Sequence, residues 1–203
     1  MLVKICGLTR EKDVRVCEDL EVDFTGFIFH PKSPRCVSPE WVGSLFKSKT
    51  RRVGVFVHQD AEEIVDILDR AKLDLAQVHG GQDLKQCRQI GAERAIKVFW
   101  PERYANREEL QTELELFAPL CRYFLLDSGT KGGGHGKVIE SSILKDMSLP
   151  RPWILAGGLG AENVHNLIQS LQPDGVDLNS GVENSPGIKN NELLKSVVGR
   201  IRQ

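Results

Sequence analysis

Two titratable side chains lie close together near the beginning of the chain. Lys4 and Cys6 are separated by one residue in the segment Lys4-Ile5-Cys6-Gly7. Side chains at alternate positions of a β-strand share a face, so a strand here would place an ammonium group beside a thiol. If that face were the interior of a barrel, both groups would be buried. Taken alone, an unpaired cysteine is more often a small apolar core residue.

A carboxylic acid follows a later apolar run. Asp127 comes directly after Phe124-Leu125-Leu126 and before Ser128-Gly129. An acid at the end of a buried strand is costly unless it has a purpose. Its side chain could instead cap the loop that follows, so the position alone leaves both interpretations open.

Two glycine-bearing turns follow the last two apolar runs of the chain. They read Ala156-Gly157-Gly158-Leu159-Gly160 and Asn179-Ser180-Gly181-Val182-Glu183. Glycine lets the backbone approach a ligand, and the N–H groups of such turns can surround a phosphate. The paired placement favours a phosphate site. A third glycine-rich stretch, residues 131–136, is either a lid over a ligand or a plain connector.

Two further polar groups follow predicted strands. Arg35 ends a loop that is stiffened by Pro31 and Pro34, and such a loop can present a guanidinium to a carboxylate. An exposed arginine is also commonly just solvated surface. Asp177 shares a strand face with Asn179, and we expect Asp177 to form a structural ion pair with Lys4 across the interior.

The elements that must position these residues are short strands that recur about every 25 residues. Helix-length amphipathic stretches separate them, and Thr9, Ser38, Asp60 and Asp83 are candidate N-caps. Strict alternation predicts a parallel α/β sheet, and eight units predict a single-domain (β/α)8 TIM barrel over residues 1–203. An open doubly wound sheet is the alternative. The predicted strands are LVKIC, FTGFIF, RVGVFV, LDLAQVH, AIKVF, RYFLLD, PWILAGG and DGVDLNSG.

Composition excludes several partners. The 27 Lys and Arg residues against 28 Asp and Glu residues give a net charge of -1, which predicts no nucleic acid and no anionic membrane as partner. No run approaches the roughly 18 apolar residues of a membrane-spanning helix. The five cysteines and the scattered histidines show no metal-ligand spacing. We therefore expect a soluble cytoplasmic protein with reduced thiols and no metal.

Together these segments resemble the phosphoribosylanthranilate isomerase family of tryptophan biosynthesis, and the resemblance runs from the first strand to the end of the chain. The matching motifs are Lys4-Ile5-Cys6-Gly7-Leu8-Thr9, Pro31-Lys32-Ser33-Pro34-Arg35, Val53-Gly54-Val55-Phe56, Gln77-Val78-His79-Gly80, Leu125-Leu126-Asp127, Leu155-Ala156-Gly157-Gly158-Leu159, and Ser180-Gly181-Val182-Glu183 with Pro186-Gly187-Ile188-Lys189.

The resemblance implies an Amadori rearrangement of N-(5-phosphoribosyl)anthranilate to 1-(2-carboxyphenylamino)-1-deoxyribulose 5-phosphate, without cofactor or metal. It implies that Asp127 is the general acid and Cys6 the general base. Arg35 resembles the residue that receives the anthranilate carboxylate, and Asp177 a sugar-contacting or supporting acid. The implied phosphate site consists of Gly157, Gly158, Ser180 and Gly181.

These implied roles make physical demands on the surroundings. A thiol is a poor base near neutral pH unless a cation favours its thiolate, and Lys4 is the candidate cation. Asp127 must instead hold a proton, which requires burial or a neighbouring negative charge.

The sequence also departs from the family pattern. The lid of the family usually continues as Gly-Thr-Gly and Phe-Asp-Trp, whereas this chain has His135 between glycines, followed by Val138, Ile139 and Glu140. His30 stands where the family often has tyrosine or an apolar residue, which predicts a more polar pocket rim.

Two other functions fit a barrel with a phosphate site. One is a sugar-phosphate epimerase, which would commonly use paired acids and a metal. The other is a non-catalytic phosphate-binding barrel, which the altered lid would permit. For the isomerase and the epimerase, the sequence predicts a small phosphorylated substrate. It fits either a monomer or a homodimer.

Overall fold

Eight parallel strands close into a barrel in the order in which they occur in the chain. The computed structural model describes residues 1–127, 144 and 147–202. The first and last strands pair with each other, which confirms the closed barrel over an open sheet. The strands are β1 (Leu2–Ile5), β2 (Phe24–Ile28), β3 (Arg51–Phe56), β4 (Leu75–Val78), β5 (Ala95–Phe99), β6 (Tyr123–Asp127), β7 (Trp153–Ala156) and β8 (Gly175–Leu178).

Helices alternate with these strands. Short 3₁₀ turns occur at Pro101–Arg103, Ala118–Leu120 and Ser180–Val182, and a small hairpin of β9 (Glu183–Ser185) and β10 (Ile188–Lys189) follows β8. None of the helices in the described ranges is long and apolar enough to cross a membrane. In the described ranges the α-helices are α1 (Glu11–Asp19), α2 (Pro39–Ser44), α3 (Ala61–Arg70), α4 (Leu84–Ile90), α5 (Arg107–Phe117), α6 (Val164–Leu171) and α7 (Asn191–Ile201).

Three of the four predicted N-caps are confirmed. The side chains of Ser38, Asp60 and Asp83 accept hydrogen bonds from backbone N–H groups in the first turns of α2, α3 and α4. The prediction for Thr9 was wrong, because Arg10 occupies the N-cap position of α1. The Thr9 hydroxyl instead donates to the carbonyl oxygen of Gly187 at 2.6 Å, so it ties the start of α1 to the β9–β10 hairpin.

Strand alternation divides the core into two parts. Side chains such as Val3 and Ile5 face outward and pack beneath the helices. The opposite side chains fill the barrel and include Phe24, Val53 and Leu125. Lys4 belongs to the inward set and is fully buried, so the predicted common face of Lys4 and Cys6 is the barrel interior.

Several strands end earlier than the apolar pattern predicts. β7 ends at Ala156 and β8 at Leu178, although the predicted runs extended to Gly158 and Gly181. Gly157 and Gly158 have φ angles of 95° and 61°, a backbone region that leaves the strand conformation. The residues with chemical potential therefore lie at or just beyond the carboxyl ends of the strands, where barrel enzymes place their sites.

The capping box of α4 generates a stability prediction. Asp83 accepts from the N–H of Gln86 at 2.8 Å, and the Gln86 side chain accepts from the N–H of Asp83 at 3.1 Å. We expect Asp83→Ala to lower the free energy of unfolding by about 1 kcal/mol and Tm by about 2–4 °C. Calorimetry on Gln89→Ala, an exposed change in the same helix, is the control and should shift Tm much less. Equal Tm values for both variants would contradict the capping role.

Candidate active site

A cavity of about 440 Å³ opens at the carboxyl ends of the strands. Such a volume is typical of a small-molecule site. All eight residues singled out from the sequence line it, although they come from five different strand ends. They are Cys6, Arg35, Asp127, Gly157, Gly158, Asp177, Ser180 and Gly181.

A buried ion pair lies at the floor of the cavity. The Lys4 Nζ atom is 2.9 Å from Asp177 Oδ2, and the two side chains are 0% and 8% exposed. The predicted pair is confirmed, but the partners stand side by side on β1 and β8 rather than across the interior. Burial lowers the pKa of Lys4, but Asp177 and Cys6 raise it more, so the net pKa lies above its ordinary value and Lys4 is a cation.

The Cys6 thiol stands two residues beyond Lys4 and is 4% exposed. Burial raises the pKa of Cys6 above its ordinary value of 9.0, and the lowering by Lys4 only partly offsets it because Asp177 also raises it. The expected cation is therefore present, yet it does not make Cys6 a thiolate in the unliganded protein. The thiol is protonated at neutral pH.

Asp127 lines the same cavity as Cys6, from the end of β6, and is 9% exposed. His79 Nε2 lies 3.9 Å from Asp127 Oδ2. Burial, with Lys4 and Arg103 as nearby cations, lowers the pKa of His79 to about 4, so its ring is neutral at neutral pH. The Gln77 amide nitrogen lies 3.3 Å from His79 Nδ1. An amide nitrogen only donates, so the neutral ring carries its proton on Nε2, toward Asp127.

The two glycine turns meet at one end of the cavity. The side chain of Asn163 braces the first turn by donating to the Gly158 carbonyl and accepting from the Gly160 N–H, each at 2.9 Å. A Cβ atom on Gly181 would lie 2.0 Å from the Leu159 carbonyl oxygen, so only glycine permits this contact between the turns. The turns thus form one continuous backbone surface.

Arg35 lines the cavity but already has a carboxylate partner. Its Nε lies 3.0 Å from Glu183 Oε1, and its Nη2 lies 2.6 Å from Glu183 Oε2. Hydrogen bonding to Glu183 raises the pKa of Arg35 further. The sequence did not reveal this pairing, because the partners are 148 positions apart.

Unpaired buried polar atoms concentrate in the cavity lining. Among the described residues, four buried side-chain atoms lack a hydrogen-bond partner, and three belong to lining residues: His30 Nδ1, Gln77 Oε1 and Asp177 Oδ1. An unsatisfied buried polar atom costs about 1–3 kcal/mol, so its retention at a cavity is a functional signal.

Gln77 and His79 are site residues to which the sequence reading gave no role. The sequence analysis considered the scattered histidines, His79 included, only as metal ligands. The useful signal was present, since Gln77 and His79 alternate at the end of β4 as Lys4 and Cys6 do at the end of β1. Inspecting the alternate residues at the end of every strand, as at the end of β1, would have identified both.

The predictions about the glycine-rich stretch and the altered lid concern residues that the structure does not describe. Residues 131–136 and the altered positions His135, Val138, Ile139 and Glu140 lie outside the described residues. Within the described ranges no group of three or more His, Cys, Asp or Glu side chains could hold a metal ion.

A closed barrel with a polar cavity at the carboxyl ends of its strands defines the chain as a (β/α)8-barrel enzyme. The family model described as N-(5'-phosphoribosyl)anthranilate (PRA) isomerase matches residues 3–200. The chain belongs to this family and is an isomerase of tryptophan biosynthesis. The family assignment selects the isomerase over the epimerase and the non-catalytic barrel.

Similarity to individual proteins extends over the whole chain. The N-(5'-phosphoribosyl)anthranilate isomerase of Maridesulfovibrio salexigens is 47% identical over 203 residues, which cover 100% of this chain and 99% of that protein. The enzyme of Desulfovibrio desulfuricans is 50% identical over 198 residues, covering 98% of this chain and 94% of that protein.

Solved structures agree with this assignment. The phosphoribosyl anthranilate isomerase of Thermotoga maritima superposes with a TM-score of 0.86 at 33% identity, covering 100% of this chain and 98% of that chain. Another isomerase structure, in complex with reduced 1-(o-carboxyphenylamino)-1-deoxyribulose 5-phosphate, gives a TM-score of 0.81 at 31% identity, with coverage of 100% and 98%.

The charges around Cys6 predict opposite effects of two substitutions. We expect the pKa of Cys6 to rise in Lys4→Met, which removes the nearest cation, and to fall in Asp177→Asn, which removes a nearby anion. The measurement is the pH dependence of Cys6 alkylation by iodoacetamide, in a Cys36→Ser background because Cys36 is the exposed thiol. Each unit of pKa changes the thiolate fraction about tenfold at lower pH.

Both substitutions break a buried ion pair, which costs about 3–5 kcal/mol, so circular dichroism must first show folded protein at the measuring temperature. Indistinguishable alkylation profiles in the three proteins would contradict the electrostatic coupling of Cys6 to the pair.

Proposed function

We propose that this chain converts N-(5-phosphoribosyl)anthranilate to 1-(2-carboxyphenylamino)-1-deoxyribulose 5-phosphate by acid/base catalysis, with Asp127 as the acid and Cys6 as the base. The observation that supports this most is the convergence of both groups on one cavity, between a guanidinium and two glycine turns. The complex of a related isomerase with the reduced product supports a ligand of this class. The reaction needs neither metal nor cofactor.

Ring opening is the first step. Asp127 donates a proton to the furanose ring oxygen, the C1–O bond breaks, and the lone pair of the anthranilate nitrogen forms a protonated Schiff base with C1. A cation beside Asp127 would favour its ionised form and weaken it as an acid. The ring of His79 is neutral, so it adds no positive charge beside Asp127.

Proton removal from C2 is the second step. The Cys6 thiol first releases its own proton to water. The resulting thiolate takes the proton from C2, and the electrons of the C–H bond form the C1=C2 bond of an enolamine while the C1=N bond becomes single. The enolamine then tautomerises to the ketone. The protonated Schiff base both acidifies C2–H and adds a positive charge near the thiol, so the substrate itself favours the thiolate that burial opposes.

The remaining contacts orient the substrate. The turns containing Gly157, Gly158, Ser180 and Gly181 receive the phosphate through backbone N–H groups. Arg35 receives the anthranilate carboxylate as a bidentate partner. The unpaired oxygen of Asp177 accepts a hydrogen bond from a sugar hydroxyl, and so does that of Gln77, which satisfies both acceptors in the complex.

We extend the proposal to the state of the protein in the cell. The five cysteines are free thiols, which fits a reducing cytoplasm. The Thermotoga maritima isomerase is described as dimeric. For this chain we retain either a monomer or a homodimer.

Turnover of freshly prepared phosphoribosylanthranilate tests the function directly. We expect protein-dependent loss of its anthranilate-type fluorescence when the reaction is coupled to the next enzyme of the pathway. The control omits this protein while retaining the coupling enzyme. No acceleration over that control would refute the proposed activity.

Removing either proton-transfer group should abolish most of the turnover. We expect Cys6→Ser and Asp127→Asn each to lower kcat by about 10²–10⁴-fold, the usual contribution of general acid/base catalysis. The matched controls are Cys36→Ser and Asp66→Asn, which change the same residue types at exposed positions that do not line the cavity. Near-full activity in either cavity variant would rule out its assigned role.

A further inference from the structure

Glu183 joins two cations at the edge of the candidate active site. Its side chain is 3% exposed and lies at the start of β9, immediately after the turn that carries Ser180 and Gly181. One oxygen, Oε1, lies 2.8 Å from Lys189 Nζ and 3.0 Å from Arg35 Nε. The other oxygen accepts from Arg35 Nη2 at 2.6 Å. Glu183 itself is absent from the cavity lining, whereas Arg35 belongs to it.

The carboxylate of Glu183 is itself held rigidly. The N–H of Gly187 donates to Oε1 at 3.1 Å. Lys189, whose side chain is 0% exposed, also donates to the carbonyl oxygen and the side-chain oxygen of Asn179, each at 3.1 Å. These contacts with Glu183 and Asn179 match the three donors of an ammonium group. The β9–β10 hairpin thus forms a fixed support behind Arg35.

Arg35 uses only one of its two carboxylate-binding edges in this support. Glu183 occupies the edge formed by Nε and Nη2. A guanidinium has a second edge, formed by Nη1 and Nη2, which can bind another carboxylate. By binding the first edge, Glu183 therefore fixes the direction of the second edge. It leaves part of that second edge available to another carboxylate.

Charge balance keeps Arg35 attractive to an anion. Glu183 alone would cancel the positive charge of Arg35, but Lys189 supplies a second cation to the same carboxylate. The three side chains together carry one net positive charge. Without Glu183, the positive charges of Arg35 and Lys189 would face each other. Their repulsion would push the guanidinium of Arg35 out of its position.

We propose that Glu183 is a positioning residue, which, with Lys189 behind it, holds the guanidinium of Arg35 in the orientation that binds the carboxylate of the substrate. The inference rests on the proposed function, in which Arg35 receives that carboxylate. Holding Arg35 in place before binding avoids the entropy cost of ordering a long side chain when the ligand arrives.

A cycle that pairs protein variants with two ligands tests the proposal. One ligand is reduced 1-(o-carboxyphenylamino)-1-deoxyribulose 5-phosphate, and the other is its phenylamino counterpart, which lacks only the carboxyl group. Titration calorimetry gives Kd for both with the unmodified chain, Glu183→Gln and Arg35→Met. The matched control is Glu192→Gln, an exposed carboxylate on α7.

We expect Glu183→Gln to weaken the carboxylated ligand about tenfold or more and the carboxyl-free ligand about threefold or less, within the range of measured pair couplings. KM should rise by a similar factor with a much smaller change in kcat. Equal weakening of both ligands, or of neither, would overturn the positioning role.

One further variant and the Arg35→Met variant keep the test decisive. Glu183→Gln leaves Lys189 buried without its carboxylate, so the double variant Glu183→Gln/Lys189→Met removes both charges and should show the same selective loss if the single variant fails to fold. The Arg35→Met arm separates the two claims. If that substitution leaves the carboxylated ligand unaffected, Arg35 does not bind the carboxylate, and both that assignment and the inference fall.

Discussion

The buried ion pair between Lys4 and Asp177 is the interaction on which the rest of the site depends. It joins the first strand to the last, with its partners 173 positions apart, and so lies at the seam where the barrel closes. Removing two charges from water costs several kcal/mol per ion, and only a close partner offsets that cost. A slip of β1 by one residue would turn Lys4 out of the barrel and leave Asp177 without its partner.

The same pair also determines the character of Cys6. A cation beside a thiol favours the thiolate, but here burial raises the pKa of Cys6, and Asp177 offsets part of the lowering by Lys4. The site therefore keeps the Cys6 thiol protonated in the unliganded protein. A thiol in this state is also less open to adventitious oxidation and alkylation than a standing thiolate.

The sequence predicts the barrel and the members of the site well because both follow from local regularities. Alternation assigns Lys4 and Cys6 to one face, and the end of each apolar run locates Asp127 and the glycine turns. What it does not predict depends on contacts between distant segments. The partner of Arg35 lies in a hairpin 148 positions away, and the protonation of Cys6 depends on burial by the whole barrel. The N-cap prediction for Thr9 was wrong because its hydroxyl donates a hydrogen bond to that same hairpin.

The contact of Gly181 with Leu159 has a consequence for how the site can diversify. The loops after β7 and β8 are locked together through main-chain atoms, so neither can shift without displacing the other. This part of the pocket is consequently formed by main-chain atoms, so substitutions of side chains elsewhere leave its shape unchanged. The part of the lining around His30 and Arg35 is instead built from side chains and can be remodelled one residue at a time. New specificities in this scaffold should accordingly arise among these side chains, while the two glycine turns stay constant.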